Sequence, residues 1–185
     1  MKITKVTEDA VATLLDDLLK RSPNNYTGYA DKVQAIIDDV RERGDEALFE
    51  MTKRFDGADL NADNIRVTQA EIDEAYTLVD ASLIEVIRKA MTNIRVYHEK
   101  QRQYGWFDTT SDGTILGQKV TPLQSTGVYV PGGKAAYPSS VLMNVIPAKV
   151  AGVEKIVMVT PPGKDGKVNP GTLVAAHEAG ADEIY

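Results

Sequence analysis

Cysteine is absent from the 185 residues. That removes disulfides, thiolate metal sites and a thiol nucleophile together, and a reducing compartment fits such a chain. Histidine occurs twice, at His98 and His177, without His-x-x-x-His or His-Glu-x-x-His spacing. A zinc site within these residues would need distant carboxylates. An excess of basic residues is lacking too. The formal charge is -6, no Lys/Arg stripe carries interleaved aromatics, and nucleic acid is not an expected partner. No uncharged run approaches the roughly 20 apolar residues of a spanning helix, and the start, Met1 to Asp9, turns acidic where a secretory leader turns apolar. The expectation is a cytoplasmic protein with no membrane partner.

What is present is ordinary globular composition, with 43% hydrophobic and 26% charged residues, enough for one substantial core or two small ones. Residues 1–104 read as a helical amino-terminal region. Thr7 suits a cap for a helix carrying Val11, Leu14, Leu15, Leu18 and Leu19, which Ser22-Pro23-Asn24-Asn25 ends. A second helix is expected from Asp31 through Ile36 and Val40 to Gly44, and a third from Asp45 toward Phe55. After a short extended piece, Ile65-Arg66-Val67, the pair Thr68 and Glu71 spells a capping box for a fourth. The apolar face Leu83, Ile87, Ala90, Met91, Ile94 and Tyr97 predicts a long helix from Ala81 to Gln103.

Residues 105–185 change character. Gly105 and Asp112-Gly113 bracket a polar stretch, and Thr114 to Leu123 and Gly127 to Val130 read as strands. A helix capped by Ser139 or Ser140 then runs to Gly152. Lys155 to Val159 follows as an apolar strand suited to cover on both faces, Gly171 to Ala179 as a helix, and Asp182 to Tyr185 as the start of another strand. The expected fold is α/β: a helical region leading into an open, mainly parallel sheet of βαβ units. The series stops inside a strand, so the sheet is expected to be incomplete, with an unpaired edge and apolar faces that favour self-association.

The first βαβ loop carries the chemical signal. Gly127-Val128-Tyr129-Val130-Pro131-Gly132-Gly133 places adjacent glycines at the carboxyl end of a strand, ahead of a helix whose free N–H groups favour an anion. The spacing is neither Gly-x-Gly-x-x-Gly nor a Walker A sequence. A plainer alternative is that Gly132 and Gly133 make a tight turn. Asp16-Asp17 and Asp38-Asp39 lie on polar helix faces, His98 belongs to a helix rim, and His177-Glu178 to a short amphipathic helix. No catalytic residue and no metal ligand is assigned within the chain.

The block Gly127 to Gly133, followed by Tyr137-Pro138-Ser139-Ser140-Val141-Leu142-Met143-Asn144-Val145-Ile146-Pro147-Ala148-Lys149-Val150-Ala151-Gly152-Val153, closely resembles the signature of the histidinol dehydrogenase family. Val40 to Leu48 resembles that family's V-x-x-x-G-D-x-A-L junction. The resemblance implies an aldehyde-dehydrogenase-like architecture and an enzyme of histidine biosynthesis that oxidises L-histidinol through the aldehyde to L-histidine, reducing two NAD. It also implies one zinc, a glutamate-histidine pair for proton transfer, and a homodimer with shared sites. Tyr129 matches the family's NAD-contacting tyrosine, while Pro131, Gly132 and Gly133 shape the same pocket. The family's zinc ligands and proton-transfer pair match positions beyond Tyr185, so this chain is expected to be the amino-terminal part and inactive alone. Without the resemblance, Tyr129 reads as a tyrosine filling a sheet face. Two other readings stand beside it: a non-catalytic nucleotide- or anion-binding module or assembly partner, and a stand-alone α/β enzyme of another chemistry.

Overall fold

The computed structural model describes residues 5, 7–11, 27–132 and 136–185. Of the first expected helix, residues 8–11 are helical, with the Ala10 N–H bonded to the Thr7 hydroxyl at 3.2 Å. Leu14, Leu15, Leu18, Leu19, the Ser22 to Asn25 break and Gly133 lie outside the described residues.

Two compact units divide the chain, residues 1–48 and residues 49–185. In the first, helix α1 (Thr27–Arg43) begins four residues earlier than the sequence suggests. It ends at Gly44, whose φ of +62° suits glycine. Helix α2 (Asp45–Phe55) starts at once, with Asp45 and Glu46 against its positive end.

The second unit opens with the expected capping box. The Thr68 hydroxyl accepts from the Glu71 N–H at 3.3 Å, and Glu71 accepts from the Thr68 N–H at 2.8 Å, fixing the start of α3 (Gln69–Leu78). Asp80 caps α4 (Ala81–Glu99), which ends four residues short of Gln103 in a tighter turn.

Between Gly105 and Asp112 the structure differs from the expectation. Trp106–Thr109 is strand β1, paired antiparallel with β2 (Ile115–Gln118) in a two-stranded hairpin. The polar residues Asp108 and Thr109 masked the strand pattern. The predicted strands at 114–123 and 127–130 become Ile115–Gln118 and β3 (Ser125–Tyr129), because Pro122 lies between them and the ladder covers fewer residues than the apolar run.

From β3 the chain runs through α5 (Pro138–Ala151), β4 (Lys155–Val159), α6 (Pro170–Ala179) and β5 (Glu183–Ile184). The sheet is parallel, in the order β3-β4-β5, with Tyr129 opposite Val159 and Met158 opposite Ile184. Helix α5 does not start from a serine cap. Tyr137 occupies the cap position without a side-chain bond and Pro138 is the first helical residue, where its fixed φ and missing N–H cost nothing. Asn169 caps α6, again ahead of a proline. Gly152 and Gly180 end the two helices with φ of +90° and +88°.

Strand order decides burial. With β3, β4 and β5 laid down in one direction, right-handed crossovers put both helices on the same side of the sheet, and α5 and α6 pack on each other there. Val128, Val130, Ile156, Met158 and Ile184 face them and form the core. Among the described residues β4 is therefore covered on one face, not two: Val157 is half-buried and Val159 is 42% exposed. Helix α6 is not simply amphipathic either. Thr172 to Ala176 are buried in succession, because the helix lies under α3, α4 and α5 as well as on the sheet. Helices α3 and α4, assigned by sequence to the region 1–104, thus pack with residues 105–185 in one unit.

Candidate functional site

The carboxyl ends of β3 and β4 lie side by side, and their exit loops form the candidate site. Strand alternation puts Val128 and Val130 into the core and Tyr129 on the opposite face, where its residue is 63% exposed. Among the described residues the Tyr129 hydroxyl has no hydrogen-bond partner. Among the described residues no helix lies over that face.

Beyond Tyr129 the loop turns across β4. The Val130 N–H donates to the Val159 carbonyl at 2.9 Å and extends the ladder by one bond. Gly132 then comes so close to the β4 exit that a Cβ there would sit 3.0 Å from the Pro161 carbonyl and 3.4 Å from the Thr160 hydroxyl. A side chain at this position would require the β4 exit loop to give by a few tenths of an ångström. Thr160 is nearly buried beneath it, and its N–H donates to the Tyr185 carbonyl at 3.0 Å.

The space over these loops is a cleft of about 590 Å³, bordered by Gly132, Ala136, Thr160, Pro161, Lys167 and Asn169. Lys167 is held at its mouth by Glu74 at 2.8 Å, and that contact raises the lysine pKa. The amino end of α5 follows Ala136, with no acidic residue in its first turn and no side-chain cap from Tyr137. Its positive end is available to an anion. The amino end of α6 is closed instead, because the Asn169 side-chain oxygen Oδ1 accepts from the N–H groups of Gly171 and Thr172. In the sequence Thr160-Pro161-Pro162 bounds the apolar strand without marking a site.

These residues fit a nucleotide. A phenol without a hydrogen-bond partner among the described residues, a tight glycine approach and a helix start without a side-chain cap suit a ring-bearing anion, with Tyr129 itself outside the lining of the cleft. They do not fit a metal. Among the described residues no group of three or more His, Asp or Glu side chains could hold an ion.

The histidines lie elsewhere. His98 is half-buried at the end of α4, its Nδ1 2.7 Å from Gln101 Oε1. His177 and Glu178 sit near the far end of α6, away from the β-strand carboxyl ends. The Tyr76 hydroxyl donates to Glu178 at 2.8 Å and lies 3.0 Å from His177 Nδ1, and Arg88 grips the same carboxylate through Nε and Nη2 at 3.0 and 2.8 Å. Arg88 holds the Glu178 pKa down. Burial, reinforced by the Glu178 contact, pushes the Tyr76 phenol up to about 12. This cluster ties α3 and α4 to α6.

A sequence model described as histidinol dehydrogenase matches residues 19–185. Among curated proteins, the histidinol dehydrogenase of Heliobacterium mobile is 55% identical over 92% of this chain and 40% of its own length. That of Bacillus subtilis is 58% identical over 90% and 39%. Among solved structures, histidinol dehydrogenase from Elizabethkingia anophelis superposes with a TM-score of 0.79 at 36% identity, covering 85% of this chain and 36% of that one. The chain thus spans about 40% of the length of the curated relatives it matches.

Proposed function

The chain belongs to the histidinol dehydrogenase family, and from that premise we propose that it is the cofactor-side, amino-terminal part of an NAD-dependent enzyme. That enzyme oxidises L-histidinol through the aldehyde to L-histidine, in histidine biosynthesis in the cytoplasm, as a homodimer. The observation that supports the cofactor assignment is Tyr129, a phenol without a hydrogen-bond partner among the described residues at the carboxyl end of β3, three residues before a glycine whose Cβ would press on the next strand's exit loop at 3.0 Å.

Bound NAD supplies the hydride acceptor of the reaction. The residues of this chain bind and orient it. Tyr129 packs its ring and offers its hydroxyl, Gly132 lets the backbone pass close to the ligand, and the amino end of α5 favours the cofactor's negative charge. Zinc belongs to the same proposal for the complete enzyme, with ligands outside this chain, so neither substrate positioning by metal nor proton transfer is assigned to residues 1–185. Alone, the chain is expected to form no NADH from histidinol with zinc added.

Calorimetric titration with NAD and AMP tests the reading. Saturable NAD binding that Tyr129→Ala weakens by tenfold or more, about 1.4 kcal/mol, supports it. Binding of NAD unaffected by Tyr129→Ala contradicts the assignment of Tyr129, and zinc-dependent turnover of histidinol by the 185-residue chain contradicts the division of labour.

A further inference from the structure

The cleft over the β3 and β4 exit loops is edged by unequal charge. Glu74 and Asp165 both border it, and among its described lining residues Lys167 is the only cation. The backbone at Lys167 is fixed by the turn that precedes it. Its N–H donates to Asp165 Oδ1 at 3.1 Å, its carbonyl accepts from the Gly163 N–H at 2.8 Å, and the Gly166 N–H closes the turn on the Gly163 carbonyl at 2.9 Å. The side chain is left outside this turn. It is 55% exposed, and its ammonium donates to Glu74 Oε2 of α3 at 2.8 Å. Exposed pairs of this kind contribute about 1 kcal/mol or less to stability, so the fold depends little on Lys167. An ammonium has three N–H donors, and Glu74 is the one side chain that Lys167 bonds among the described residues.

We propose that Lys167 is a further cofactor-binding residue: its ammonium bonds the pyrophosphate of NAD in this cleft, and Glu74 competes with the cofactor for it. The inference rests on the reading of the chain as the cofactor side of the enzyme. A pyrophosphate carries two negative charges, and a cleft edged by Glu74 and Asp165 repels it unless a cation is presented there. A phosphate oxygen offers that cation a charge-assisted bond of the same kind as the Glu74 carboxylate does. The neighbouring helix start does not take the anion, because Asn169 Oδ1 occupies the Gly171 and Thr172 N–H groups of α6, so Lys167 is the donor left on this side of the cleft. Gly132 joins the two contacts. It lines the cleft and follows Tyr129 by three residues, at most about 10 Å of chain, a distance that a dinucleotide spans.

The experiment titrates the complete chain calorimetrically with NAD and compares Lys167→Gln, Lys167→Arg and Glu74→Gln. Lys53→Gln serves as a control for lost charge, since it breaks an exposed ion pair with Asp59 outside the cleft lining. Lys167→Gln should weaken NAD binding about tenfold and flatten its dependence on sodium chloride, while Lys167→Arg should hold the affinity within about threefold. Glu74→Gln frees the ammonium and removes a repelling carboxylate, so it should tighten binding about threefold. Lys53→Gln should leave it unchanged. The opposite signs discriminate: a pair that only ties α3 to the β4 exit loop loses the same tie from either side. Weakening of equal size in Lys167→Gln and Glu74→Gln overturns the role of Lys167 and leaves the cofactor reading standing. So does an unaltered affinity in Lys167→Gln where Tyr129→Ala still weakens NAD binding. Absence of saturable NAD binding by the wild-type chain overturns both.

Discussion

The parallel sheet and the hairpin are made from the same residue types, and only one of them has a core. Val128, Ile156 and Met158 in the sheet are buried, whereas Trp106, Phe107, Ile115 and Leu116 in the hairpin face solvent. β-branched and aromatic side chains alone do not account for the difference. The crossover helices do: α5 and α6 cover one face of the sheet, and among the described residues nothing comparable covers the hairpin. The same contrast exists within the sheet, whose uncovered face bears Tyr129 and Val159. Regions with a cover are where stability resides, and regions without one are where ligands and partners are expected to bind.

The largest break in this comparison comes from the covered face. Ile156→Ala, at a fully buried position in β4, should lower unfolding stability by about 2–5 kcal/mol, read as a shifted urea midpoint with unchanged slope. Asp182→Ala comes next. Its carboxylate accepts the Ile156 N–H at 2.7 Å and a Lys149 Nζ bond at 3.1 Å, joining β5 to β4 and α5, and loss of that acceptor should cost about 1–3 kcal/mol.

A smaller effect is expected at the α3–α4–α6 tie, and pH exposes it. Arg88 lowers the Glu178 pKa in the folded chain below its ordinary value of 4.5. The stabilisation is therefore complete above that value and disappears as pH falls through the folded pKa. Arg88 is half exposed, so the amount is on the order of 1 kcal/mol or less. Glu178→Gln should flatten the acid limb of stability below pH 4.5 relative to wild type. The smallest effect belongs to the hairpin: Phe107→Ala should change stability by no more than about 0.5 kcal/mol. A loss as large as that of Ile156→Ala would show that the hairpin has a cover after all.

Much of this contrast is legible in the sequence where local chemistry decides. Thr68 with Glu71, Gly44, Gly152 and Gly180 mark helix boundaries because caps and left-handed residues are read within four positions. β3, β4 and the Tyr129-Val130-Pro131-Gly132 loop follow from short apolar runs and glycine. What local patterns do not contain is which face of a strand is covered. The run Lys155 to Val159 has the look of a strand buried on both sides, yet strand order leaves Val159 open. β1 was hidden because Asp108 and Thr109 interrupt its pattern. Gly132 reads in sequence as a residue of close backbone approach to a ligand or of a tight turn, and only the structure shows Pro161 and Thr160 of the β4 exit pressing on its Cβ position. The role of His177 is equally non-local, since Tyr76 lies 101 positions away.

The central claim is that the uncovered carboxyl end of β3 is the cofactor side of the molecule. Amide chemical-shift mapping during titration with NAD tests it most directly. The account predicts shifts confined to Tyr129, Val130, Gly132, the start of α5 and the Thr160-Pro161 exit loop, with the amides around Tyr76 and Glu178 unmoved. Saturable shifts that bypass Tyr129 and Gly132 and gather instead at His98 or His177 would contradict it.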